Sequence, residues 1–146
     1  MEQIPPVNVT VSVARSVDEA FKIWTEGIAG WWPLEKHSIG GARVTGAVFE
    51  PMEGGRVFEV WDDGSEHDWA MITTYDPPNR VVLAWRPSSE PSPTEVDVRF
   101  IAEGTGTRVE LEHRGWELLG EEGREARDNY NGGWPTTMRL YGEAAA

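Results

Sequence analysis

Apolar and polar residues alternate near the start of the chain: Val7, Val9, Val11 and Val13 are separated by Asn8, Thr10 and Ser12. A period of two is that of a strand with one buried face, so residues 7–13 predict a half-buried strand. The spacing then changes. Val17, Ala20, Phe21, Trp24 and Ile28 follow helical periodicity and predict one amphipathic helix with Trp24 in its core face. Ser16 stands at the N-cap, and Glu19 completes a capping box in which its carboxylate is expected to reach back to the Ser16 amide. Gly27 and Gly30 loosen the far end of this helix, and Pro33 prevents its simple continuation.

From residue 44 to about residue 114 the period of two returns in short runs punctuated by turns. Expected strands cover 44–50, 56–61, 67–75, 80–86, 94–102 and 107–114. The turns between them include Asp62-Asp63-Gly64-Ser65 and Glu103-Gly104-Thr105-Gly106, both strong hairpin signals. A Pro/Ser-rich loop, PSSEPSP, follows the fourth of these runs and is expected to stay polar. Trp134, Met138 and Tyr141 form one face of a terminal helix whose start is obscured by Gly132, Gly133 and Pro135. The order strand, helix, consecutive strands, helix describes an antiparallel meander with a helix on one face. Within it, Val96, Val98 and Phe100 share one face, and Val109, Leu111 and His113 share another. The intervening Asp97, Arg99, Arg108, Glu110, Glu112 and Arg114 are expected to pair across strands in solvent. By the same parity His113 points inward, and His67 falls in phase with Trp69 and Met71.

Composition narrows the function classes. The chain has 25 acidic and 13 basic residues, a formal charge of −12, which argues against nucleic acid or an anionic membrane surface as partner. Cysteine is absent, so disulfides, thiol catalysis and thiolate metal sites are excluded together. The 146 residues suit one domain spanning 1–146. No apolar run approaches the ~18–20 residues of a membrane span, and the opening MEQIPPVNVTV lacks the pattern of a signal peptide. A cytoplasmic location is the resulting expectation. Eight tryptophans are many for this length and suit either a large aromatic core or a lined pocket.

The chemistry-bearing motifs are sparse. His37, His67 and His113 show no metal-ligand spacing, and the acidic run from Asp62 to Asp68 has the composition of a solvated turn, so no metal and no cofactor are expected. No serine sits in a nucleophile elbow, and no glycine-rich phosphate loop occurs. His67 and His113 are the candidates for general acid–base work, against the alternative that each is a core residue with its ring nitrogens hydrogen-bonded. Arg56, Arg86 and Arg114, at or near strand ends, could meet a ligand carboxylate or serve as surface cations.

Several motifs in their order resemble the START-like superfamily, also called SRPBCC or Bet v 1-like. They are SVDEAFKIWT, WWP at 31–33, GGR at 54–56, DGSEHDWA at 63–70, PPNRVVLAW, TEVDVRF, GTRVELEHRGWE and GGWP. Within that superfamily the chain is most similar to the small single-domain members of the activator-of-Hsp90-ATPase family. Ala70 departs from the glycine expected after the tryptophan. The resemblance implies an α+β helix-grip fold: a curved antiparallel sheet of six to seven strands wrapped around a long C-terminal helix, with a cavity between them. The superfamily holds lipids, sterols, polyketides and other apolar molecules, and some members are cyclases.

The implied function is binding of a small apolar or aromatic molecule in that cavity. The ligand-binding candidates are Trp31, Trp32, His67, Trp69, Met71, Trp85, Phe100, His113 and Trp134, with Trp31 and Trp32 at the entrance. An enzyme of cyclase or hydrolase type would use His67 or His113 in the same cavity. A chaperone-interacting module is the weaker alternative, because the eukaryotic activator engages the chaperone through an additional N-terminal domain that is not expected here.

Overall fold

The computed structural model describes residues 3–87 and 92–146. Seven strands form one antiparallel sheet in the order β1-β7-β6-β5-β4-β3-β2. They are β1 (Val7–Val13), β2 (Val44–Phe49), β3 (Arg56–Trp61), β4 (Glu66–Asp76), β5 (Arg80–Trp85), β6 (Thr94–Glu103) and β7 (Gly106–Arg114). Helix α1 (Val17–Trp24) follows β1, and helix α2 (Gly123–Ala144) closes the chain on the inner face of the sheet. This is the helix-grip arrangement. The Pro/Ser-rich loop falls between β5 and β6, and its residues 88–91 lie outside the described residues.

Local sequence explains most of these elements. The Ser16 hydroxyl caps α1 by accepting from the Glu19 amide at 3.3 Å. The Glu19 carboxylate does not reach the Ser16 amide as expected; it accepts from the Ser16 hydroxyl and from Arg15. Ala20, Phe21 and Trp24 turn into the core, while Ile28 arrives there from a separate short 3-10 turn, Ile28–Gly30, rather than from α1 itself. Trp24 donates from its indole to Met138 Sδ at 3.5 Å, and the Tyr141 hydroxyl donates to Ala20 O at 2.8 Å, so α1 and α2 are tied through the interior.

Helix α2 begins earlier than the sequence suggests. Gly132, Gly133 and Pro135 all lie inside it. Asn131, whose carbonyl would have paired with the missing Pro135 N–H, is exposed, as are Gly132 and Pro135. Water can satisfy the freed carbonyl there, while Trp134, Met138 and Tyr141 bury the opposite face and hold the helix in place.

Among the described residues the strand register shifts at three places, and the shift that moves a candidate residue lies between β3 and β4. Opposite Val57 and Phe58, the β4 partners are Ala70 and Asp68, which leaves Trp69 as the extra residue of a bulge. The bulge resets the phase of the strand. Trp69 and Ile72 are buried, whereas Met71 is 50% exposed. Strict parity places Met71 in the cavity; the bulge puts it on the outer surface instead. Phe100 does face inward, but it packs edge-on against Phe21 at 5.1 Å, in the core beneath α1.

On the outer face, charges pair across strands. Asp97 is buried beneath Arg80, which grips it with two hydrogen bonds of 3.0 and 2.7 Å, and beneath Arg114 at 3.1 Å. Trp24, with no exposed surface and a place at the junction of both helices, is a structural residue. Trp24→Ala should lower the unfolding free energy by ~3–5 kcal/mol in urea denaturation. A variant of unchanged stability would contradict this placement.

Candidate functional site

The chain between α1 and β2 crosses the open end of the sheet as a strap. Its path is fixed by one buried carboxylate. Glu59, on β3, has no exposed surface. It accepts from the backbone N–H groups of Ile39 and Gly40, each at 2.7 Å. It also accepts from the indoles of Trp61 and Trp69, each at 2.6 Å. Gly40 lies so close that a Cβ would stand 2.5 Å from Trp61 Nε1, so this position has no room for a side chain. Burial pushes the Glu59 pKa up, but the hydrogen bonds from Trp69, the strap and Trp61 outweigh it, and the net direction is down.

Beneath the strap lies a cavity of about 530 Å³, walled by β4, β5 and α2. Among the described residues its apolar wall is built from the indoles of Trp32, Trp69, Trp85 and Trp134. Their rings touch: Trp32 lies 4.9 Å from Trp69, 5.9 Å from Trp85 and 5.6 Å from Trp134, between ring centres. Each indole N–H has an internal acceptor. Trp32 donates to His37 O at 3.1 Å, Trp69 to Glu59, Trp85 to the Tyr130 hydroxyl at 3.0 Å, and Trp134 to His113 Nδ1 at 2.9 Å. The cavity therefore meets ring faces and edges rather than indole donors. A polar rim completes it, including His37, Ser38, Glu122, Asn129, Tyr130 and Thr137.

The sequence candidates divide. Trp32, Trp69, Trp85 and Trp134 come together in the wall. Trp31 lies behind Trp32, buried edge-on against Tyr141 at 5.2 Å, with its indole donating to Ile23 O. His67 stacks on Trp61 at 3.7 Å between ring centres, and its Nε2 lies 2.9 Å from the Ser65 hydroxyl. It is not among the residues that line the cavity.

His113 is wholly buried behind Trp134 and also stays outside the lining. Because an indole can only donate, His113 Nδ1 must be the acceptor, and the proton sits on Nε2, 2.7 Å from Thr94 Oγ1. Burial drives its pKa down to about 3. A neutral imidazole with both nitrogens engaged is a wall support. The expectation that His67 or His113 offers a proton to the cavity is corrected by these positions.

Sequence reasoning missed Glu59, His37 and Tyr130. Tyr130 lies one turn before Trp134 on the same helical face, a signal that the intervening glycines concealed. His37 sits in the strap, where no periodicity operates. The acidic hairpin is engaged by arginine: Arg43 bridges Asp62 and Asp63, and Arg56 bridges Glu66 and Asp68. Among the described residues no group of three or more His, Asp or Glu is placed to hold a metal ion.

This fold of a gripping sheet and a C-terminal helix is matched at family level. Residues 14–140 match the model of the activator of Hsp90 ATPase homolog 1-like proteins. The chain belongs to that family. No curated protein is significantly similar to it in sequence. Among solved structures it is similar to an anthrahydroquino-γ-pyrone synthase solved as a complex, with 33% identity over 98% of both chains and a TM-score of 0.66. It is also similar to CalC, a self-sacrificing resistance protein from Micromonospora echinospora, with 29% identity, 97% of this chain and 94% of that one covered, and a TM-score of 0.73. The Aha1 dimer from Colwellia psychrerythraea shares the fold, at 14% identity, 97% and 96% coverage and a TM-score of 0.71. Among the described residues no helix of this family member is long and apolar enough to cross a membrane.

Two pH windows follow from the buried groups. The folded pKa of His113 lies below its ordinary 6.5, so the unfolded chain binds that proton more readily. Its contribution to stability is complete above ~6.5 and is lost as pH falls towards about 3. The folded pKa of Glu59 lies below its ordinary 4.5, so its contribution is lost only at lower pH, through the folded value. Urea unfolding across a pH series should show stability declining below ~6.5 by up to ~1.4 kcal/mol per pH unit, with a further loss below ~4.5. A flat profile from pH 7 to 5 would contradict the burial of a neutral His113. Glu59→Gln turns an amide NH₂ towards N–H donors and should cost roughly 2–4 kcal/mol at pH 7, read in the same assay.

Proposed function

We propose that this protein binds a planar, apolar aromatic molecule between the indole faces of its cavity. The observation that carries the reading is the orientation of the four wall tryptophans, whose N–H groups are all turned to internal acceptors. A wall of ring faces offers dispersion and stacking, and little to a ligand that relies on hydrogen bonds to indole. A volume of about 530 Å³ falls in the range of small-molecule pockets. The solved relative at 33% identity, named as a synthase of an anthrahydroquino-γ-pyrone, supports a fused-ring ligand.

The same relative favours a second reading, catalysis of ring closure on such a molecule in the same cavity. A chaperone-directed role has less support, since the likeness to the Aha1 dimer, at 14% identity, shows the fold alone.

Gly133 gives a direct test. It lines the cavity from α2, and a Cβ there would stand 3.5 Å from His37 Cε1, an ordinary contact. Gly133→Leu fills the cavity while replacing a helical glycine, a change that favours the helix by up to ~1 kcal/mol. Naphthalene and anthraquinone derivatives should quench tryptophan emission saturably in the natural protein. The variant should keep its melting temperature and bind at least ~10-fold more weakly. Absence of saturable binding across such a panel, or equal binding by a folded Gly133→Leu protein, would overturn the reading.

A further inference from the structure

The polar rim of the cavity is unequal in what it can offer a ligand. Ser38 Oγ is used within the strap: it donates to Leu34 O and accepts from the Gly41 amide. Thr137 Oγ1 donates to Gly133 O at 3.1 Å. The histidines that parity placed inside are also committed, His113 to Trp134 and Thr94, and His67 to Ser65.

His37 differs. Its backbone is held at both ends, the amide donating to Pro33 O at 2.9 Å and the carbonyl accepting from Trp32 at 3.1 Å. Its ring rests against α2 where Gly133 has no side chain, with Cε1 3.5 Å and Nδ1 3.8 Å from the place a Cβ would occupy. The side chain lines the cavity and is exposed. Among the described residues no hydrogen bond or ion pair engages its ring nitrogens. The backbone of this imidazole is thus anchored to a wall tryptophan, while its ring keeps donor and acceptor capacity at the cavity edge.

Resting on the reading of the cavity as an aromatic-binding site, we propose that His37 selects ligands carrying a phenolic hydroxyl on the edge that faces the strap. The ring nitrogen accepts the phenol O–H while the fused rings lie among the indoles. The ligand class is then a neutral hydroxylated fused-ring arene, rather than an unsubstituted hydrocarbon or an alkyl chain. The proposal concerns recognition; no bond is made or broken in it.

The test compares 2-naphthol with 2-methoxynaphthalene, which keeps the rings and the oxygen but lacks the donor, by titration calorimetry. The natural protein should prefer 2-naphthol by ~5–10-fold, the worth of one hydrogen bond. His37→Phe should bind both compounds equally. His37→Gln, which restores an acceptor, should recover part of the preference. The proposal is overturned if the natural protein shows no preference, or if His37→Phe retains it; in both cases binding of the ether leaves the aromatic-cavity reading standing. Failure of both compounds to bind the folded natural protein would remove that reading and this proposal with it.

Discussion

A buried indole N–H must find an acceptor, and the structure of this protein is organised around where those acceptors lie. Four tryptophans converge beneath the strap, and each is turned by a different partner: a strap carbonyl, a carboxylate on β3, a tyrosine hydroxyl on α2 and a histidine on β7. The demands propagate outwards. Glu59 accepts from two strap amides as well as two indoles, so the strap, β3 and β4 share one anchor. His113 has to remain neutral to accept from Trp134, and complete burial holds it neutral.

The same constraint gives the cavity its chemical character. Rings whose polar edges are engaged elsewhere present their faces and carbon edges to the interior. Such a surface is complementary to another ring system and discriminates weakly among polar substituents. Discrimination has to come from the rim, which is where the strap brings His37 against α2. On the proposed reading, recognition of shape and recognition of polar groups are separated: the first lies on the sheet and helix, and the second includes a residue of the strap that Trp32 and Glu59 position.

Much of this was legible in the sequence, because period-two and helical patterns report burial directly. The strand at 7–13 and the inward parity of His113 rest on uninterrupted alternation, and the α1 core face through Trp24 rests on uninterrupted helical spacing. The pattern misleads where one residue is inserted. Trp69 occupies a bulge, so Met71 leaves the face on which Trp69 sits. It is silent where breakers fall on a solvent face, as with Gly132 and Pro135 in α2. Glu59 could not be recognised from its strand, since alternation cannot say that a carboxylate will find four donors from the strap and from neighbouring indoles. His37 lies in an irregular segment, where its value depends on a glycine 96 positions later making room for its ring.

On the proposed reading, the wall tryptophans keep their N–H groups for the protein and give their faces to the ligand. The most direct measurement is nuclear magnetic resonance of indole-¹⁵N-labelled protein, with and without a saturating fused-ring arene. The indole N–H protons of Trp32, Trp69, Trp85 and Trp134 should exchange slowly with solvent and keep their hydrogen bonds on binding, while ring carbon protons of the same residues shift strongly. Rapid exchange of these four N–H groups in the free protein, or their transfer to hydrogen bonds with the bound arene, would contradict it.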